Sequence, residues 1–382
     1  ATFPLLLTST HDASANFVFK AGSSFLEARF VQRTPEYFII YLSSHNGCNQ
    51  ACRFCHLTQT KQTQFEPATP AQYQLQLSTV LQWALDHKKT ATHAIHINFM
   101  ARGEPLLNSS ITSDLSLFDH LHHLVVTAYP HIQVQFKLST IMPSSAEIPA
   151  WSSLTGKPYQ MDLYFSAYSA KPEVQKRWIP HRASLPAAFK NLYELHTRGV
   201  NIRLHWALIE DLNDQPADFD AIIEQARQAG LDPAQMHFNL VRYNPPGGDK
   251  SVGAEPPAAV IDAYVAHAAS SVCTSRAIPR VGFDVKASCG MFVSDSDIPR
   301  SRSQLVQDLM LADLGIVQDL ATAGKHWYAL DPHRQPDGSF TFFLNPADQQ
   351  NHNFGWFSLS DLQAWCHNAG PIPKQASALS VS

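Results

Sequence analysis

The chain has 382 residues, 45% hydrophobic and 16% charged, a balance that suits a packed globule and excludes an intrinsically disordered chain. Its 28 Lys and Arg stand against 32 Asp and Glu, a formal net charge of −4, so any polyanion site must be a local patch. No stretch approaches the roughly 18 apolar residues of a membrane span. The start, Ala1 to Thr8, lacks the charged n-region of a leader. Six cysteines, three clustered and three scattered (Cys273, Cys289, Cys366), do not form a disulfide framework; a cytoplasmic location is expected.

In chain order, Phe17 to Arg33 alternates loosely around Gly22-Ser23-Ser24 and reads as a strand or hairpin leading into the core. Apolar strand-like runs then alternate with helix-length segments. The strands are expected at Tyr37–Leu42, His93–Met100, Gln133–Thr140, Met161–Ala167, Ile202–Ile209 and Met236–Tyr243. Amphipathic helices are expected over Ala71–His87, Ser113–Ala128, Leu185–Arg198 and Ala217–Ala229, with Gly199 and Gly230 where helix ends fall. Six β-then-α units with near-continuous apolar strands predict an α/β fold, a parallel sheet covered by helices in a partial (β/α)6 barrel. Active sites in such folds gather at the C-terminal strand ends. Three segments follow: 1–34 as N-terminal extension and β-hairpin, 35–299 as the core barrel, and 300–382 as an α+β extension. In the last, helices are expected over Ser301–Ala323 and Ser358–His367, and two strands within Lys325–Asn345.

Directly after the first barrel strand stands Cys48-Asn49-Gln50-Ala51-Cys52-Arg53-Phe54-Cys55. Three thiolates at C-x3-C-x2-C on a loop can wrap one corner of a [4Fe–4S] cubane and leave its fourth iron without a protein ligand. The amino and carboxylate groups of S-adenosylmethionine (SAM) can chelate such an iron, and one electron then cleaves SAM to a 5′-deoxyadenosyl radical. A zinc site would want a fourth Cys or His; His56 adjoins Cys55 and is poorly placed to serve. At the end of the second strand, Gly103-Glu104-Pro105 offers a carboxylate that can accept hydrogen bonds from SAM's ammonium group.

From about Phe25 to Met291 the sequence resembles the RlmN/Cfr group of radical SAM ribosomal RNA methyltransferases. The resemblance is carried by Met100 to Asn108, Lys137-Leu138-Ser139-Thr140, Phe165-Ser166-Ala167-Tyr168 and Leu240-Val241-Arg242-Tyr243-Asn244-Pro245. It implies that Gly103, Glu104, Ser139, Ser166, Tyr168 and Asn244 line a SAM pocket, and that Cys48, Cys52 and Cys55 hold the cluster. Asp284-Val285-Lys286-Ala287-Ser288-Cys289-Gly290 is similar to the family's methyl-carrier segment, with one extra residue. By that likeness Cys289 takes a methyl group from one SAM, and the radical from a second SAM activates it for addition to an adenine ring carbon. Glu27 matches the hairpin glutamate proposed as proton acceptor. An RNA substrate and a flavodoxin-type or other low-potential electron donor are implied as partners.

Two departures stand out. The family's second cysteine lies seven residues before the first cluster cysteine, and that position here is Tyr41. A tyrosine cannot form the disulfide that releases the product, and its ordinary pKa near 10 makes it a poor base. With about 25 residues ahead of the hairpin, a divergent member without the family's N-terminal domain is expected. A different modification of a nucleotide, a DNA base or a small molecule is the alternative. Basic residues expected near the barrel mouth are Arg53, Lys61, Arg102, Lys171, Lys176, Arg177 and Arg242; several are ordinary surface charges on a plainer reading, or, for Arg102, a SAM-carboxylate partner.

Overall fold

The computed structural model describes residues 3–246 and 252–298, together with the backbone of three further strands. It forms two compact units, Phe3–Phe292 and one that holds Val293–Ser382. The first is built on a ten-stranded sheet whose order follows the chain. Its strands are β1 (Leu5–Thr8), β2 (Ser14–Ala21), β3 (Ser24–Thr34), β4 (Tyr37–Tyr41), β5 (Ala94–Phe99), β6 (Gln133–Thr140), β7 (Tyr159–Phe165), β8 (Asn201–Ala207), β9 (His237–Val241) and β10 (Thr274–Ala277). The pairs from β1 to β4 are antiparallel, and every pair from β4 to β10 is parallel. This is the sheet of a partial barrel, entered through an N-terminal meander.

The helices cover one face. Pro70–Asp86 starts from a Thr69/Gln72 capping box with Pro at its first turn, which satisfies two otherwise orphaned N–H groups. Ser116–Ala128, Leu185–Thr197, Pro216–Gln228 and Ala258–Ala268 follow. Gly199 and Gly230 stand just past two of these ends at φ +93° and +94°. Against the helices the strands turn Ile95, Ile97, Val134, Phe136, Leu138, Leu204, Trp206 and Phe238, all buried. Ring pairs such as Phe118–Phe136 at 5.1 Å and Trp206–Phe238 at 4.6 Å lock this layer.

Several features depart from the sequence reading, the helices Pro172–Trp178 and Ala258–Ala268 among them. β10 is a seventh parallel strand, and its Thr-Ser-Arg-Ala sequence carries no apolar alternation to announce it. β1 adds an edge ahead of the hairpin. No helix joins β6 to β7; Pro143, Pro149 and Pro158 hold that connection in loop, since a proline removes a donor and fixes φ. In the second unit, β11 (Tyr328–Arg334), β12 (Phe340–Pro346) and β13 (Gly355–Ser358) form an antiparallel sheet. The helix expected at Ser301–Ala323 lies outside the described residues, as does the one expected at Ser358–His367 apart from Ser358, which ends β13. Among described residues no helix is long and apolar enough to cross a membrane.

One buried ion network joins the meander to the parallel strands. Arg102, 1% exposed, follows β5, and its Nε lies 3.0 Å from Oε2 of Glu27 on β3. Its Nη1 donates to Phe25 O at 2.8 Å and Asn46 O at 3.0 Å, and its Nη2 to Gln62 Oε1. Arg102 is therefore neither a surface charge nor a phosphate contact; each of its three nitrogens lies against a partner inside the protein. Lys171 and Arg242 are paired as well, with Asp218 at 2.8 Å and Glu255 at 2.6 Å.

Removing one partner of a buried pair leaves the other charge uncompensated. Arg102→Met is expected to lower unfolding stability by about 3–5 kcal/mol. Arg227→Met, from an exposed pair 3.7 Å from Glu224, should cost less than about 1 kcal/mol. Denaturant titration of the two variants beside the wild type checks the contrast.

Candidate active site

The loop after β4 runs from Ser43 to Cys55 and is fixed before any cysteine is reached. Ser43 Oγ donates to Glu27 O at 2.6 Å, and Ser44 N donates to Arg102 O at 2.8 Å. Gly47 and Gly103 allow two close approaches. A Cβ at Gly47 would meet Gln64 O at 2.5 Å, and one at Gly103, where φ is +94°, would meet His45 Nδ1 at 2.6 Å. Ala51 turns the loop between Cys48 and Cys52 at φ +54°. Cys55 then starts the short helix His56–Gln59.

Cys48, Cys52 and Cys55 line a cavity of about 230 Å³ at the C-terminal ends of the parallel strands. The same cavity is lined by Gly103, Glu104, Ser139, Ser166, Tyr168, Asn244 and Cys289. Ten residues chosen from separate stretches of sequence thus share one wall. Glu27 is not part of it. Its carboxylate is 0% exposed, accepts from Asn16 Nδ2 at 2.8 Å, and lies between the Arg102 and Arg29 guanidiniums.

Burial raises all three cluster-loop thiols, and Cys48 and Cys52 are raised further by their neighbouring thiols. The Arg102 and Arg29 guanidiniums pull Cys55 the other way. Such thiols ionise when a cation meets them, which is what iron supplies. Among described residues no three His, Cys, Asp or Glu side chains converge on a point that one metal ion could occupy. A cubane binds each thiolate through a different iron and needs no such convergence. His56, the nearest candidate for a fourth zinc ligand, has its Nε2 3.0 Å from Asn244 O.

Glu104 projects from the turn after β5. Its Oε1 accepts from Leu106 N at 3.2 Å and its Oε2 from Ile141 N at 3.1 Å, while burial pushes its pKa up to about 7. Ser139 Oγ lies 2.6 Å from His205 Nε2, and burial holds that imidazole neutral, its pKa down to about 4. Tyr168 sits at φ +58°, a strained backbone for a bulky residue, and stacks on Phe54 at 4.1 Å. Asn244 Nδ2 donates to Cys289 O at 2.8 Å, while its Oδ1 is buried without a partner, an acceptor open to a ligand donor.

Cys289 is exposed to the cavity, between Lys286 at φ +56° and Gly290 at φ +73°. Its surroundings push the thiol up to about 11, against the pull of Arg29. Arg29 also fixes the segment, Nη2 donating to Met291 O at 2.6 Å. Tyr41 lines the same cavity, and burial raises its phenol. Arg29 and His205 were not singled out by sequence. The available signals were a charge two residues from Glu27 in an apolar strand, and polar residues alternating along β8.

In the ligand-free protein, folding favours protonated Glu104. That contribution is full below its ordinary 4.5 and is lost as pH rises through about 7. Glu104→Gln removes the dependence, so between pH ~4 and ~8 the wild type should lose up to about 3 kcal/mol relative to E104Q. Unfolding midpoints at the two pH values check this.

No protein-family model matches the chain. A curated relative, the probable dual-specificity RNA methyltransferase RlmN of Synechococcus sp. (strain RCC307), is 29% identical over 269 residues. That match spans 67% of this chain and 70% of the relative. The protein of the same name from Prochlorococcus marinus (strain MIT 9303) is 29% identical over 225 residues, 56% of each chain. Among solved structures, a radical SAM methyltransferase from Sphaerobacter thermophilus matches with a TM-score of 0.59 at 18% identity, over 76% of this chain and 81% of that one. The chain is thus similar to RlmN proteins over two thirds of its length and shares the fold of a radical SAM methyltransferase.

Proposed function

We propose that the protein is a radical SAM RNA methyltransferase that modifies an adenine ring carbon through a methylated Cys289. The observation that carries the reading is the meeting of Cys48, Cys52, Cys55, Glu104 and Cys289 around one cavity. A [4Fe–4S] cluster and SAM, when bound, supply a methyl group and a carbon-centred radical, driven by a low-potential donor of the flavodoxin kind.

The three loop cysteines hold iron, and the buried guanidiniums of Arg29 and Arg102 offset the negative charge of the Cys55 thiolate. Glu104, held by two backbone N–H groups, presents its carboxylate to the SAM ammonium. Ser139, Ser166 and the free Oδ1 of Asn244 orient the rest of the ligand, and the Phe54–Tyr168 stack forms an apolar wall. Cys289 carries the methyl group on a segment clamped by Asn244 and Arg29. Proton removal from the substrate is not given to Glu27, whose carboxylate serves the buried arginines.

Tyr41 favours a second reading. Its phenol faces the cavity where the family's resolving cysteine stands, and burial keeps it protonated. A radical modification of a nucleotide, a DNA base or a small molecule that needs no resolving thiolate fits that residue.

Anaerobic reconstitution separates these outcomes. The wild type should bind about four irons and turn brown, and Cys48→Ala/Cys52→Ala/Cys55→Ala should lose the absorbance. Incubation with SAM should add one methyl group to Cys289, seen by peptide mass spectrometry, and Cys289→Ala should abolish methyladenosine formation in RNA. An unmodified Cys289 alongside continued 5′-deoxyadenosine release would sink the methyl-carrier reading and support the second one.

A further inference from the structure

The parallel strands turn apolar residues to the helices, but their other face is charged. Along that face lie His96, Lys137, Asp162, Arg203, His205, Asn239 and Arg276. Strand register sets Lys137 beside Asp162, Tyr164 beside Arg203, and Asn239 between His205 and Arg276. Arg33 joins them from the irregularity between Gln32 and Thr34, and it also lines the cavity. Whereas Val134, Phe136 and Leu138 on β6 are buried, the intervening Gln135, Lys137 and Ser139 are half-exposed, so this face is wet.

Its charges do not balance. Arg203 Nε is 3.4 Å from Asp162, Lys137 Nζ is 3.2 Å from His96 Nδ1, and Arg276 Nε donates to Asn239 Oδ1 at 3.2 Å. Asp162 is the carboxylate acting on Lys137, while Arg33, Arg203 and Arg276 all act on it as like charges. Burial, with these cations, brings Lys137 down to about 8, and burial together with Lys137, Arg276 and Arg33 brings His96 down to about 3, leaving it neutral as Lys137's acceptor. Four cations facing one carboxylate repel one another, and a bound anion relieves that repulsion.

We propose that this inner face of the barrel binds a phosphate-class oxyanion between Lys137, Arg33, Arg203 and Arg276, next to the cavity that holds Cys289. Guanidinium forks and an ammonium suit tetrahedral oxygen ligands. Arg33, Tyr41, Ser139 and His205 belong to both spaces, so a nucleotide can place its phosphoryl group here while its base stays in the cavity. The site does not depend on methyl transfer, and its failure would leave the proposed function standing.

Calorimetric titration of the reconstituted protein in chloride buffer with inorganic phosphate, AMP and adenosine tests it. Phosphate and AMP should bind saturably, and Lys137→Gln and Arg276→Gln should each weaken them at least about tenfold. The exposed control Arg227→Gln should not, and adenosine should be blind to all three. AMP binding tighter than phosphate supports a nucleotide as the carrier, and equal binding supports free phosphate. The proposal falls if neither anion binds saturably, or if both variants leave the affinities within about twofold. Arg276 is exposed on the last parallel strand, so its variant keeps the test open if Lys137→Gln fails to fold.

Discussion

Arg102 sits where three parts of the chain must agree. Its backbone and that of Gly103 follow β5, its guanidinium reaches Glu27 and Phe25 on the hairpin, and it also holds Asn46 O at the root of the cysteine loop. A guanidinium buried this deeply is tolerated only when its nitrogens meet acceptors and an anion is near. The demand works in both directions. The loop, the hairpin and the Gly103-Glu104 turn are each held by the same side chain, so none can shift alone.

The network also leaves an excess of positive charge next to the thiols. Glu27 is shared by two guanidiniums, and both act on Cys55. Arg29 extends that influence to Cys289 and anchors Met291. A stability device and an electrostatic setting for the cavity are therefore the same set of atoms. This accounts for Glu27 being buried away from the cavity wall, where the family resemblance would have it take a proton.

The barrel divides its labour by strand face. Alternate residues pack against helices and supply the hydrophobic stability, while the others remain polar and half-exposed. A period of two in each strand makes both roles possible in one segment. The site sits at the strand ends because the following loops can vary there without disturbing the packed face. Tyr41 lines the cavity and is no part of the core, so it bears on the chemistry and not on the fold.

By itself the sequence determined six of the parallel strands and the four longer helices, because these follow from hydrophobic period, while the ten cavity-wall residues it named came from local motifs and a family likeness. β10 escaped, since a four-residue polar strand is made by pairing with β9 and not by its own propensity. The missing β6–β7 helix was readable in its prolines. Only the tertiary structure decided which charges were spent. Arg102 and Arg177 look equivalent as letters, and contact with Glu27, some 75 positions away in the chain, makes the former a buried tie. The crowding of Arg33, Lys137, Arg203 and Arg276 is likewise invisible along the chain, because it arises from strand register between segments far apart in sequence.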